Sequence, residues 1–273
     1  MSERPVVAAV ANYNIAGELA RLLPDLASHG YDEIFILDDA STDGSREVVE
    51  SLPGDFRFIS RSENKGAGSN RNQVIPYLPH ESLVHFLDAD IILQSDRMAD
   101  RVRDITPKSP FGFIGNLALT KNGTQNVWNY GPRQSLRGDI GAAVQANLEP
   151  LYTSDPMRAL KIRGLFSKTM EPWPNPLRPE DRKQVYWCIE QSLIIDSNVL
   201  AVTKGFSEDL REHEIQDLAI RLARVGLKSY FDPSITIQHT EVEVRGYNRQ
   251  LAMLRAEARI NLKYGLRNWL LAR

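Results

Sequence analysis

Short apolar runs rich in β-branched residues alternate with helical stretches along the first hundred residues. Val6 to Val10 predicts a buried strand. Asn14 is placed to cap a helix that carries Leu19, Leu22, Leu23 and Leu26 on one face and ends at Gly30. Ile34 to Leu37 predicts a second strand, and Ser41 is placed to cap a helix with Val48, Val49 and Leu52. Phe56 to Ile59 predicts a third strand, and a polar stretch from Asn64 to Asn72 then leads into a helix with Val74, Ile75 and Leu78. Leu83 to Leu87 predicts a fourth strand, and Ser95 is placed to cap the helix of Met98, Val102 and Ile105. Strands and helices alternating at these lengths imply an α/β fold with a mostly parallel sheet covered on both faces.

The pattern weakens between about Lys121 and Tyr186, where prolines are frequent and Trp128, Tyr130, Trp173 and Trp187 are scattered in and just beyond the stretch. This predicts a loop-rich, partly helical lobe beside the sheet. Regularity returns with a predicted strand from Ser192 to Val202. A helix follows from about Glu214, with Ile215, Leu218, Leu222 and Val225 on one stripe and Gly226 at its end. Ser234 to Gln238 predicts a last strand leading into His239. From Arg245 to Arg273 the chain reads as one basic helix with Leu251, Leu254, Ala258 and Leu262 on a stripe.

Composition narrows the class. The 273 residues are 42% hydrophobic and 25% charged, with a formal net charge of -2, which speaks against disorder and against a global attraction to nucleic acid. The single cysteine, Cys188, excludes an internal disulfide framework and fits a reducing compartment. Met1 to Pro5 lacks the apolar stretch of a signal peptide, and no run reaches membrane-spanning length. A cytoplasmic protein is expected, and the sequon at Asn122 then has no glycosylation role.

The end of the fourth strand carries the strongest chemical signal. Asp88 and Asp90 are two apart, so in extended chain both point to one side, and two carboxylates sharing a site call for a cation between them. Oxygen ligands suit Mg²⁺ or Mn²⁺, ions that also hold substrate phosphates. In open α/β sheets ligands gather at the carboxyl ends of strands, where this pair lies. Taken alone, the pair is equally an Asp-rich surface turn. Asp39, Ser41, Asp43, Gly44 and Glu50 stand at calcium-loop spacing, but the strand-like Glu33 to Leu37 replaces the helix such a loop requires. A strand ending in Asp38-Asp39 suits hydrogen bonding to a nucleoside instead.

Together, Val-Ala-Asn-Tyr-Asn (10 to 14), Leu-Asp-Asp-Ala-Ser-Thr-Asp-Gly (37 to 44), Asn64-Lys65-Gly66 with Arg71-Asn72, and Phe-Leu-Asp-Ala-Asp (86 to 90) resemble the inverting glycosyltransferases of family 2, in particular bacterial or phage members. Gly-Phe-Ser-Glu (205 to 208), the run from Glu214 through Asp217, Leu218 and Arg221 to Gly226, and Pro233 to His239 extend the resemblance over about residues 6 to 240.

The resemblance implies a GT-A fold over residues 1–240, with a nucleotide-binding half over 1–115, an acceptor-side half over 116–240, and a basic helical tail over 241–273. It implies a metal-dependent, inverting transfer from a nucleotide-sugar donor, with a UDP-sugar first in line, to a saccharide or lipid-linked saccharide. By position, Ala11 and Tyr13 would line the nucleobase, Asp39 would bond the base or ribose, and Arg71 would contact the nucleotide. Asp88 would meet the ribose or metal, with Ala89 beside it in the donor site. Asp90 and His239 would bind Mn²⁺ or Mg²⁺ near the diphosphate. Imidazole with carboxylate favours Mn²⁺ over Ca²⁺.

The catalytic base departs from the family pattern, because Ile215 stands where an Asp follows the Glu. Glu214 is the first candidate base and Asp217 the second, although Asp217 and Arg221 are spaced for an ordinary helical ion pair. Glu212 and His213 are further candidates.

Three rival readings stand beside this one. A sugar nucleotidyltransferase needs a glycine-rich loop that residues 10 to 17 lack. Transfer to modified DNA fits poorly with the balanced charge, and transfer to protein leaves the donor site unchanged. A non-catalytic nucleotide-sugar binder fits Ile215. The tail arginines (Arg245, Arg249, Arg255, Arg259, Arg267, Arg273), with Trp269, Leu270 and Leu271, suit packing on the chain's own domain or a second subunit, or peripheral contact with the inner face of a membrane.

Overall fold

The computed structural model describes residues 3–133, 135–242 and 248–265. Strand β1 (Val6–Asn12), helix α1 (Ala16–Leu26), β2 (Glu33–Asp38), α2 (Ser45–Ser51), β3 (Phe56–Ser60), α3 (Ala67–Arg71), β4 (Leu83–Asp88), β5 (Ile91–Leu93), α4 (Met98–Ile105) and β6 (Ile114–Leu119) build the first half. The short β7 (Tyr130–Gly131) precedes α5 (Leu136–Ser154), α6 (Pro156–Leu165) and α7 (Ser167–Met170). The chain then returns through β8 (Lys183–Val185), β9 (Trp187–Cys188), β10 (Ser192–Asp196), α8 (Ser197–Thr203), α9 (Glu214–Arg224), β11 (Ser229–His239) and α10 (Arg249–Tyr264).

The main sheet has the order β3-β2-β1-β4-β10-β6-β11-β5, with β8 also on β11. Strands β3, β2, β1, β4, β6 and β11 run one way, while β10, β5 and β8 run against them. The sheet is therefore mostly parallel, as expected. Period-two alternation divides its core: Val6, Ala8 and Val10 of β1 pack with α1 and α4, whereas Val7 and Ala9 face the layer of Phe206, Ile215 and Leu218. The chain passes from β1 to β2 and β3 on one side and to β4 on the other, so a crevice opens at the carboxyl ends of β1 and β4.

Several local expectations are corrected. Asn14 does not cap α1: it adopts φ 51°, and its side chain accepts from the Thr42 amide at 2.8 Å, stitching two strand-end loops together. The Ser41 hydroxyl accepts from the Asn14 amide, and α2 begins only at Ser45. Ser95 likewise accepts from the Thr236 amide rather than capping α4. The single strand expected from Ser192 to Val202 divides at Asp196, whose side chain accepts from the Asn198 amide and starts α8.

The lobe after residue 121 is more helical than its sequence suggests. The buried face of its 19-residue α5 starts with Gly138, Gly141 and Gln145 and reaches large side chains only at Leu148 and Tyr152. Trp173 stacks edge-to-face between Trp128 and Trp187, at 5.5 and 5.9 Å between ring centroids, so these tryptophans fill a small core of their own. Arg163 pins the lobe by donating to the Met170, Trp173 and Pro174 carbonyls at 2.7, 2.6 and 2.9 Å.

No helix among the described residues is long and apolar enough to cross a membrane. Arg245, Arg267, Trp269, Leu270, Leu271 and Arg273 of the tail, and the side chain of Arg249, lie outside the described residues.

Candidate functional site

The carboxyl ends of three adjacent strands assemble the site. Parallel register sets Ala11 of β1 between Leu37 of β2 and Asp88 of β4, and the Ala89 amide continues the ladder to the Ala11 carbonyl at 3.1 Å. Ala89 itself is fully buried, and Tyr13, just past β1, is half-buried at the same rim. The strand ends are tied from below by α3 and by the 3-10 turn that follows it, Asn72–Tyr77. Asn70 donates to the Leu37 carbonyl at 2.8 Å and Gln73 to the Asp38 carbonyl at 3.2 Å.

Asp39 is buried beside these ends, accepting from the Lys65 and Gly66 amides at 3.0 and 2.8 Å with Arg61 at 3.4 Å. Gly66 reaches this geometry with φ 92°, a conformation that favours glycine. The backbone thus fixes the Asp39 carboxylate at the β2 side of the crevice.

Asp88 and Asp90 diverge in partners. Asp88 receives Arg71 at 2.6 Å; the guanidinium is buried, yet its Nε has no hydrogen-bond partner. Asp90 meets the Nε2 of His239 at 3.0 Å, because the antiparallel β11–β5 register sets His239 opposite Ile91. The Thr240 amide closes this clasp on the Asp90 carbonyl at 2.9 Å. Burial works to lower the His239 pKa, but the hydrogen bond and charge of Asp90, with Asp88 nearby, outweigh it and raise the value. Beside the ring, the Gln191 amide nitrogen lies 3.4 Å from Nδ1, and the Gln191 Oε1 is buried without a partner.

The residues fit a divalent cation held partly by substrate. Among the described residues no three carboxylate, imidazole or thiol groups stand ready as a complete cage. Mg²⁺ and Mn²⁺ commonly take one or two protein ligands and complete their shell from phosphate and water. Asp90 and His239 supply such a pair. Rotating the Gln191 amide sets its orphaned oxygen against Nδ1–H, the outer partner that a metal-bound imidazole requires.

Opposite the strand ends stands Glu214, buried at the first residue of α9, with its Oε1 3.4 Å from the Gly68 amide. Burial and the neighbouring Glu190 push its pKa up to about 7. Ile215 is 1% exposed and belongs to the core, so this position offers no proton acceptor to the cleft.

Asp217, the second candidate base, is placed elsewhere. It is fully buried and bonded by Arg221 at 2.8 Å, Lys263 at 2.8 Å and the Tyr264 hydroxyl at 2.6 Å. Burial raises its pKa, but these donors more than reverse that and lower it. A carboxylate so occupied joins α9 to α10.

Sequence reasoning missed Glu190 and Gln191. Both sit on the turn from β9 to β10, where the Gln191 carbonyl accepts from the Asp88 amide at 3.2 Å. Burial raises the Glu190 pKa, Arg71 pulls it back and Asp88 pushes it up again. Only the Glu-Gln pair closing an apolar run hinted at them. A separate cavity of about 370 Å³ opens in the helical lobe against Tyr130, Arg163, Trp173, Glu180 and Lys183, and no strand-end residue lines it.

Comparison with known proteins accords with this architecture. Over 101 residues the chain is 30% identical to the putative teichuronic acid biosynthesis glycosyltransferase TuaG of Bacillus subtilis, an alignment spanning 36% of this chain and 40% of that protein. The mannosyltransferase PcManGT of Pyrobaculum calidifontis, solved with GDP-Man and Mn²⁺, superposes over 96% of this chain and 64% of its own, with TM-score 0.59 and 17% identity. GalNAc-T7, solved with UDP, GalNAc and Mn²⁺, superposes over 96% of this chain and 48% of its own, with TM-score 0.65 and 12% identity. Residues 1–349 of Staphylococcus aureus TarS, solved with UDP-GlcNAc, superpose over 94% of this chain and 66% of their own, with TM-score 0.57 and 17% identity. At these identities the likeness establishes the GT-A fold. The sequence model described as Glycosyl transferase family 2 matches residues 8–160, more than half of the chain, which therefore belongs to that family.

Proposed function

We propose that this protein transfers a sugar, with inversion, from a nucleoside-diphosphate sugar to a hydroxyl of a saccharide or lipid-linked saccharide, and that a divalent metal assists it. The observation that carries this reading is the convergence, at the β1–β4 crevice, of the Asp90–His239 clasp and the Asp88–Arg71 pair, with Glu214 facing them. In the reaction the acceptor oxygen bonds to the anomeric carbon as the bond from that carbon to the diphosphate oxygen breaks. The acceptor proton passes to Glu214, and negative charge gathers on the departing diphosphate.

The residues supply matching functions. Ala11, Tyr13 and Asp39 form the nucleoside end, Asp88 and Ala89 the ribose side, and the Arg71 guanidinium, paired with Asp88, adds positive charge for an anionic ligand. Asp90 and His239 would hold the metal, which supplies Lewis-acid stabilisation of the leaving diphosphate when bound. Glu214, with its pKa near 7, suits proton acceptance at neutral pH. Relatives of this fold solved with UDP, UDP-GlcNAc and GDP-Man support nucleotide diphosphates as the donor class, with UDP first by resemblance.

The test is nucleoside diphosphate release from UDP-, GDP- and dTDP-sugars with Mn²⁺ and a saccharide acceptor panel. One donor is consumed by the native protein and spared by Glu214→Gln. If a nucleotide binds but no donor is consumed with any acceptor, the second reading holds: a nucleotide-sugar binder whose base position was given over to the core by Ile215.

A further inference from the structure

Helix α10 is apolar on two opposite sides. Its inner side buries Ala256 and Ile260 against Leu210, while Lys263 and Tyr264 bond Asp217. The leucine stripe anticipated as its packing face points the other way. Leu251, Leu254 and Leu262 are 45%, 64% and 82% exposed, and Ala258 between them is exposed as well. Spaced three, four and four residues apart, they form one continuous ridge about 16 Å long.

The charges around this ridge have one sign. The exposed side chains of α10 are Leu251, Met253, Leu254, Arg255, Ala258, Arg259, Leu262 and Lys263, among which every charge is positive. The helix's single acidic residue, Glu257, is half-buried on the inner side, where burial and the nearby Asp139 raise its pKa. The chain as a whole carries a net charge of -2, so this cationic, apolar face runs against the overall balance.

We propose that the outer face of α10 docks on an anionic lipid bilayer, leucines entering the interface and arginines meeting lipid phosphates. Apolar ridge and basic flanks together are what an interfacial helix needs, since neither alone gives firm attachment. A second copy is the poorer occupant. An antiparallel two-fold pairing of the ridges would set the flank of Arg255 and Arg259 on one copy against the same flank of the other. The inner contacts leave the leucine ridge and Arg255 available, while Arg259, which donates to the Asp209 carbonyl, and Lys263, which bonds Asp217, add positive charge at the edge of the ridge.

The proposal is independent of the donor and of catalysis. Its test is flotation of the full chain with vesicles of phosphatidylcholine alone and of phosphatidylcholine mixed equally with phosphatidylglycerol, at low and high salt. The native protein floats with the mixed vesicles, and salt weakens the association. The double variant Leu254→Glu/Leu262→Glu lowers the bound fraction about tenfold or more, and Arg255→Glu lowers it about fivefold at low salt. Both keep the native melting temperature, since neither side chain is packed. Absence of flotation, or flotation unchanged in the double variant, overturns the proposal. So does light scattering that finds a dimer which the double variant converts to monomer, because the face then belongs to a second copy.

Discussion

The two walls of the crevice hold their charges by different means. On the strand-end wall each carboxylate has a named donor: Asp39 takes two backbone amides, Asp88 takes Arg71, and Asp90 takes His239. On the facing wall Glu190 and Glu214 crowd toward the same Arg71, and burial pushes both toward the neutral form. A wall of satisfied carboxylates is pre-organised to receive a cation and a diphosphate. A wall of poorly solvated carboxyls is poised to accept a proton. Under the proposed function, donor binding and proton transfer fall on different walls, and mutation should break them apart.

The largest expected effect lies on the facing wall. Glu214→Gln should lower transfer about a thousandfold while nucleotide affinity stays within twofold, checked by turnover beside calorimetric titration. Next is Asp90→Ala on the strand-end wall, which should weaken metal-dependent nucleotide binding about a hundredfold and leave metal-free affinity unchanged. Asp217→Asn touches neither wall. It should cost about 2–3 kcal/mol of stability by denaturant unfolding, because Arg221 and Lys263 lose their shared anion, both partly exposed.

Smaller effects sharpen the contrast. A methyl at Gly68 would meet the Glu214 Cγ at 2.8 Å and the Phe206 Cβ at 3.2 Å. Gly68→Ala should therefore cost about 1–2 kcal/mol and displace the base, lowering turnover with little change in nucleotide affinity. The smallest effect is a pH dependence. Glu214 has a folded pKa raised from 4.5 to about 7, so folding favours its protonated form. Its contribution to stability is present below the unfolded value and is lost as pH rises through about 7. Glu214→Gln should thus gain melting temperature over the native protein between pH 5 and 8, a gap that differential scanning reads directly, while native turnover rises over the same window.

The strand-end wall was largely legible in the sequence, because a parallel strand buried on both faces is a continuous apolar run and its polar punctuation falls at the ligand-facing end. Asp88, Asp90 and Asp39 each close such a run. His239 was reached through the resemblance, and β11 brings it to Asp90 despite the break in register between Asp232 and Thr236. The facing wall was harder to read. Glu190 lies on a turn between short antiparallel strands, and its neighbours in space, Arg71 and Glu214, are distant in the chain. Helix α5 was hidden because the first half of its buried face is Gly138, Gly141 and Gln145, with Gly141 against Trp173, so the apolar period shows only at Leu148 and Tyr152. The Ser192 to Val202 run was apolar throughout, and only the Asp196 side chain decides where strand gives way to helix. The stripe of α10 was correctly periodic, yet its outward direction depends on Ala256 and Ile260 winning the inner contact with Leu210.

The central claim is that Asp90 and His239 bind a nucleoside diphosphate through a divalent cation. The direct measurement is a thermal-shift panel of UDP, GDP, dTDP and CMP, each with Mn²⁺ and with chelator, on the native protein and on Asp90→Ala. A ligand that binds only the folded state raises the melting temperature with its occupancy. One diphosphate should stabilise the native protein with Mn²⁺, lose that effect with chelator, and have no metal-dependent effect on Asp90→Ala. Equal stabilisation with and without metal, or an Asp90→Ala response matching the native one, would contradict the account.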